Sequence, residues 1–187
     1  MIIVEGTDLV GKTTLCERLV QCSSYPLKYK HLSRLPDTFH RYYDYLPMIR
    51  PVNVYDRFHM SEIAYVAARR EKQGSTNPMW YSALDRSIIK AAGMIVIITV
   101  DEYLIRERWG RDEMYKQDVV LRANDAFLEI ATSSEFQGFN PYKSFHFHCN
   151  SSSPFVTDDQ AQFLVTHHEA LINRSAFLNA TREFPRG

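Results

Sequence analysis

Two glycines bracket four residues near the start of the chain, Gly6-Thr7-Asp8-Leu9-Val10-Gly11, and Lys12, Thr13 and Thr14 follow at once. This is the full Walker A spacing. Small residues let a loop wrap an anion with backbone N–H groups turned inward, and a helix that starts there aims its positive end at the same point. A lysine in that place reaches the β- and γ-phosphates of a triphosphate, and the hydroxyl after it sits on the accompanying metal. Gly6, Asp8, Gly11, Lys12, Thr13 and Thr14 therefore predict a triphosphate cradle. The competing reading is a look-alike turn. The β-branched run before the loop and the helical spacing of Leu15 to Val20 after it both argue for the cradle.

Other chemistry-bearing residues fall at the ends of predicted strands. Pro51 to Asp56 reads as a strand that ends in a carboxylate, with Arg57 and Phe58 at its tip. Met94 to Val100 is apolar on both faces, as an interior strand of a parallel sheet should be, and Asp101 follows it. Leu27 to Leu32 is a weaker strand because of Lys28, Lys30 and His31, and it leads to Arg34. Phe145 to Cys149 is the last strand, followed by the loop Asn150 to Pro154. Helical spacing covers Met60 to Lys72, Met79 to Ala92, Asp101 to Arg108, Tyr115 to Ser133, and Thr157-Asp158-Asp159-Gln160 through about Ala176, with a frayed tail from Asn179. The tyrosine-rich segment Phe39 to Pro47 reads equally as a surface helix or as a cleft wall.

Strands alternating with helices over the whole length predict an α/β fold of three layers, a five-stranded parallel sheet flanked by helices. Loops at the carboxyl ends of such strands gather ligands, and the glycine loop, Arg34, Asp56-Arg57, Asp101 and Asn150 all fall there. With 187 residues the chain suits one domain, 1–187. Its 22 basic and 22 acidic residues cancel, which argues against a broad electrostatic footprint for duplex nucleic acid or an anionic membrane. Three cysteines far from zinc-like spacing read as reduced, structural and intracellular, so a cytoplasmic location is expected. No apolar run reaches membrane-spanning length.

Over nearly its whole length the sequence resembles the thymidylate kinase family, within the wider group of P-loop nucleotide and deoxynucleoside kinases. The resemblance rests on Val4-Glu5-Gly6-Thr7-Asp8 running into Gly11-Lys12-Thr13-Thr14, on Tyr55-Asp56-Arg57-Phe58-His59-Met60-Ser61 with Ala64-Tyr65 behind it, and on the arginines of 106–111. It implies a P-loop kinase fold with a small lid around 104–116, which transfers a phosphoryl group from ATP with Mg²⁺ to a small-molecule nucleotide acceptor, dTMP before others. Thr13 and Asp56 would serve the metal, and Arg57 would grip the acceptor's phosphate. Asp8 would lie near the acceptor sugar, Arg34 and Phe58 at the acceptor, and Arg69 near its base. The loop Asn150 to Pro154 would contact adenine, largely through its backbone. Leu9 stands where some members carry an arginine, so the lid would supply the catalytic cation, with Arg106 and Arg111 the favoured candidates. The family also forms homodimers through the helices after strands two and three.

Blander readings stand beside these. Asp56-Arg57 reads also as a strand-end ion pair, Phe58 as a core aromatic, and Arg106 with Arg108 as decoration of a helix beside Glu107. The sequence also departs from the family. The loop after strand two is short, Asp101-Glu102 stands where a proline is usual, and His31, His146 and His148 match no family position. The rival functions are a deoxynucleoside kinase, a kinase acting on a modified base in DNA, and a nucleotide-binding switch without catalysis.

Overall fold

The structure, a computed structural model, describes residues 1–32, 44–69, 78–110, 115–134, 136 and 144–182. In chain order the elements are β1 (Ile2–Glu5), α1 (Lys12–Cys22), β2 (Lys28–His31), β3 (Asn53–Asp56), α2 (His59–Arg69), α3 (Pro78–Lys90), β4 (Met94–Val100), α4 (Glu102–Arg108), α5 (Gln117–Thr132), β5 (Ser144–Cys149) and α6 (Asp158–Arg182). A 3₁₀ turn, Leu46–Met48, precedes β3. Among the described residues all strand pairs are parallel, in the order β2-β3-β1-β4-β5.

The alternation of strand side chains explains the three layers. Ile2 and Val4 of β1 and Met94, Val96, Ile98 and Val100 of β4 face one side, where Leu15 and Leu19 of α1 and Leu164 of α6 complete a core. Ile3, Ile95 and Ile97 face the other, against Ala64 of α2, Leu84 and Ile88 of α3, and Phe127 of α5. Burial of all seven residues of β4 follows from helices on both faces, as the unbroken apolar run predicts. β2 is polar because it is an edge strand, with Lys28, Lys30 and His31 all exposed. No helix among the described residues is long and apolar enough to cross a membrane.

The last helix is longer than the sequence reading allows. A reciprocal cap opens it: the Gln160 N–H donates to Thr157 Oγ1 at 3.3 Å, and the Thr157 N–H donates to Gln160 Oε1 at 2.9 Å. It then runs to Arg182, so the expected fraying from Asn179 is corrected, because no glycine or proline interrupts the run before Pro185. Cys16 and Cys149 are buried, and Cys22 is exposed at the far end of α1; all three are free thiols.

The sheet order reverses at β1, with β3 on one side and β4 on the other. A crevice opens outside the carboxyl ends of the strands at such a point. The glycine loop leaves β1 there. Phe127, fully buried between α5 and the sheet, tests the packing on one face. Phe127→Ala should lower unfolding free energy by about 3–5 kcal/mol, read by denaturant titration at constant slope.

Candidate active site at the carboxyl edge of the sheet

Backbone geometry shapes the loop between β1 and α1. Gly6 has φ of 146°, and a Cβ there would lie 2.4 Å from the carbonyl oxygen of Ile98 in β4. Gly11, at φ 90°, begins α1, and no side chain caps the helix. The first N–H groups of α1 therefore face the cleft as donors for an anion. Leu9 is also left-handed, at φ 69°, a conformation that costs a residue with a Cβ about 1–2 kcal/mol. Lys12 is nearly buried, and its ammonium donates to the carbonyl of Thr7 across the loop.

A cleft of about 290 Å³ opens above this loop, lined by Asp8, Lys12, Thr13, His31, Asp56 and Arg57 among others. At its floor the Thr13 hydroxyl donates to Asp56 Oδ2 at 2.7 Å. The Tyr29 hydroxyl and His31 Nδ1 approach the same oxygen, each at 3.3 Å. Burial and the Asp56 charge push the Tyr29 phenol up to about 12. Asp56 itself is 1% exposed, and among the described residues its Oδ1 has no hydrogen-bond partner. A buried carboxylate oxygen without a protein partner, beside a threonine hydroxyl, is a hard-oxygen donor set that fits Mg²⁺.

Arg57 stands at the rim between this cleft and a second one. Its φ is 71°, and its N–H donates to the Val4 carbonyl of β1 at 2.9 Å. That turn sends the guanidinium toward the glycine loop, where it pairs with Asp8 and lies 5.4 Å from the Tyr65 ring centroid. The Tyr65 hydroxyl donates to Asp8 Oδ2 at 2.8 Å and accepts the Asp8 N–H at 3.1 Å. The second cleft is a slot walled by Phe58, Tyr65 and Tyr115 and carrying Arg57, Glu62 and Arg69. Phe58 is 1% exposed and packs on Tyr45 and Tyr55, at centroid distances of 4.5 and 5.1 Å. It is thus a core aromatic that also floors the slot.

The arginines of α4 divide. Arg106 pairs with Glu102 one turn back and is exposed, the helix-surface alternative of the sequence reading. Arg108 instead donates to the Leu9 carbonyl at 2.8 Å and the Pro154 carbonyl at 2.6 Å, with its guanidinium 4.3 Å from the Phe155 ring centroid. Arg34 and Arg111 lie outside the described residues. Thr14 is exposed in the first turn of α1. Asn150 folds into its own turn, accepting the Ser152 N–H, the Ser152 hydroxyl and the Ser153 N–H at 3.1, 2.8 and 3.1 Å. His146 and His148 both contact the Thr99 hydroxyl, at 2.8 and 2.9 Å, and His148 also reaches Asp101 at 3.0 Å.

Sequence reasoning passed over Tyr29, Glu62 and Tyr115 as site residues. Tyr29 and His31 alternate on β2 and so share a face, a signal the weak strand obscured. It also passed over the work of Glu5, which is fully buried at the end of β1 and accepts the Met60 N–H at 3.0 Å and the Ser61 hydroxyl at 2.5 Å. These bonds fasten the start of α2 beside Arg57. Burial raises the Glu5 carboxyl above its ordinary value.

The parallel sheet in this order, with the glycine loop between β1 and α1, defines a P-loop-like α/β fold of three layers. The YorR protein from Bacillus subtilis, solved in complex with phosphorylated GDP, is similar in structure at TM-score 0.66 and 13% identity, over 92% of this chain and 97% of that one. At that identity the likeness is one of fold. No protein-family model matches the sequence, and no curated protein matches it.

Gly6→Ala should destabilise the fold, because both φ and the Ile98 carbonyl exclude a methyl; a lowered midpoint of thermal unfolding checks this. The raised Glu5 carboxyl means that the folded state holds this proton more tightly than the unfolded state does. Its contribution to stability is complete below the ordinary glutamate value and is lost as pH rises through the folded value. Glu5→Gln should remove that slope from a plot of unfolding free energy against pH.

Proposed function

We propose that the chain transfers the γ-phosphoryl group of ATP to the phosphate of a nucleoside monophosphate, a pyrimidine deoxynucleotide and dTMP before others, yielding the diphosphate. The observation that carries this reading is the position of Arg57, which lines both the cleft over the glycine loop and the aromatic slot. A donor in the first and an acceptor in the second would meet at a guanidinium. The YorR protein's complex with a phosphorylated nucleotide supports a nucleotide in the cleft.

Phosphoryl transfer is mostly positioning and charge neutralisation. The uncapped start of α1 and Lys12 hold the donor phosphates. Arg57, fixed by Asp8, draws the acceptor phosphate into line with them. Tyr65 and Tyr115, with ring centroids 4.9 Å apart, form a wall against which a flat base packs. Thr13 and Asp56 would hold Mg²⁺, and the ion would supply neutralisation of charge on the donor phosphates. No side chain is required as a base, because a phosphate acceptor is already ionised.

Coupled ADP release from Mg·ATP, measured against deoxynucleoside monophosphates and free nucleosides with products weighed by mass spectrometry, tests this. Turnover is expected on dTMP. Lys12→Met and Arg57→Ala should each reduce kcat by about 10²–10³-fold, the scale of removing one preorganised charge from a phosphoryl-transfer site. Turnover on nucleosides alone would overturn the monophosphate reading in favour of a hydroxyl acceptor. Silence across the panel would point to a nucleic-acid acceptor or a switch.

A further inference from the structure

The glycine loop carries a strained residue whose carbonyl is held from outside the cleft. Leu9 is left-handed, at φ 69°. Its side of the loop lines the cleft, and Arg108 does not. Yet the Arg108 guanidinium donates to the Leu9 carbonyl at 2.8 Å, and with its other terminal nitrogen to the Pro154 carbonyl at 2.6 Å. The Phe155 ring beneath, 4.3 Å away, limits where the guanidinium can go. The same ring lies 3.8 Å from where a Cβ on Gly11 would stand, so this cluster abuts the start of α1.

The carbonyl and N–H of a trans peptide point in opposite directions. With the Leu9 carbonyl drawn to Arg108, which lies outside the cleft lining, the N–H of Val10 is turned the other way. If that peptide flipped, a carbonyl dipole would face the phosphates in place of a donor, and the anion affinity of the loop would fall. A left-handed leucine has a steric reason to leave this arrangement. A planar fork bridging two carbonyls is the contact that prevents it.

We propose that Arg108 is a positioning residue that fixes the Leu9–Val10 peptide of the glycine loop in its anion-binding orientation, and so sets donor-phosphate affinity without touching phosphate. The proposal rests on the reading of the cleft as the ATP site. It assigns to Arg108 a task distinct from that of a lid cation, and leaves the acceptor slot out of it.

The test is titration of ADP and ATP into the whole protein, without acceptor, by calorimetry, together with the KM for each substrate. Arg108→Gln should weaken ADP about tenfold or more, the scale of one lost charge-assisted contact, with the acceptor KM unchanged. Arg108→Lys, which keeps the charge but reaches one carbonyl at a time, should lose nearly as much. The decisive variant adds Leu9→Gly to Arg108→Gln: glycine accepts φ near 69° without strain, so affinity should recover to within about threefold of the parent. Direct phosphate contact by Arg108 would leave the double variant as weak as the single one, and would overturn the proposal. Equal losses for donor and acceptor, or an unchanged ADP affinity in both Arg108 variants, would overturn it as well. Failure of the parent protein to bind ADP at all would remove the reading of the cleft itself, and this inference with it.

Discussion

A carboxylate and a guanidinium, each less than one-fifth exposed, hold the two halves of the candidate site together. Asp8 belongs to the loop after β1 and Arg57 to the end of β3, and the two strands are neighbours in the sheet. Taking either charge out of water alone would be costly, so each depends on the other. Tyr65 closes the set from α2, donating a hydrogen bond to one Asp8 oxygen and accepting one from the Asp8 N–H. The loop, the strand end and the helix are thus three parts of one electrostatic unit. Arg57 adopts a left-handed backbone to reach it.

Beneath that unit the parallel sheet does a simpler job. Its described strands all point the same way, so the loop after β1 and the turn after β3 emerge at one edge. Burial of β4 on both faces makes this edge stiff, and Ile98 of β4 presses against Gly6 so closely that the loop cannot sag into the sheet. Glu5 does the same for the other wall, anchoring the first turn of α2 through two hydrogen bonds. Rigid supports on both sides suit a reaction whose demand is alignment.

The fold was legible because its signals are periodic. The glycine spacing, the apolar run 94–100 and the alternation of strand and helix patterns need no knowledge of what packs on what. Lys12, Thr13, Asp56 and Arg57 were legible for a related reason, since each is fixed by its distance from a strand end. Residues brought in sideways were not. Arg108 and Arg106 are two positions apart on α4, and nothing local distinguishes the one that turns to the loop from the one that pairs with Glu102. Tyr29 and His31 reach Asp56 only because β2 lies beside β3 in register, His31 opposite Asp56. Phe58 packs as the core aromatic of the blander reading and also lines the slot. α6 runs on past Ala176 to Arg182 because no glycine or proline breaks it there.

The three cysteines carry a practical consequence. Cys16 sits under the cradle, where burial and the nearby Asp56 charge hold its thiol far above the usual range, and the buried Cys149 thiol is raised as well. Neither offers a thiolate near neutral pH. Cys22 is exposed at the opposite end of the helix whose first turn faces the cleft, about 16 Å along its axis. A maleimide dye would therefore attach at one place without engineering. It would ride on the same helix whose first turn lines the candidate cleft.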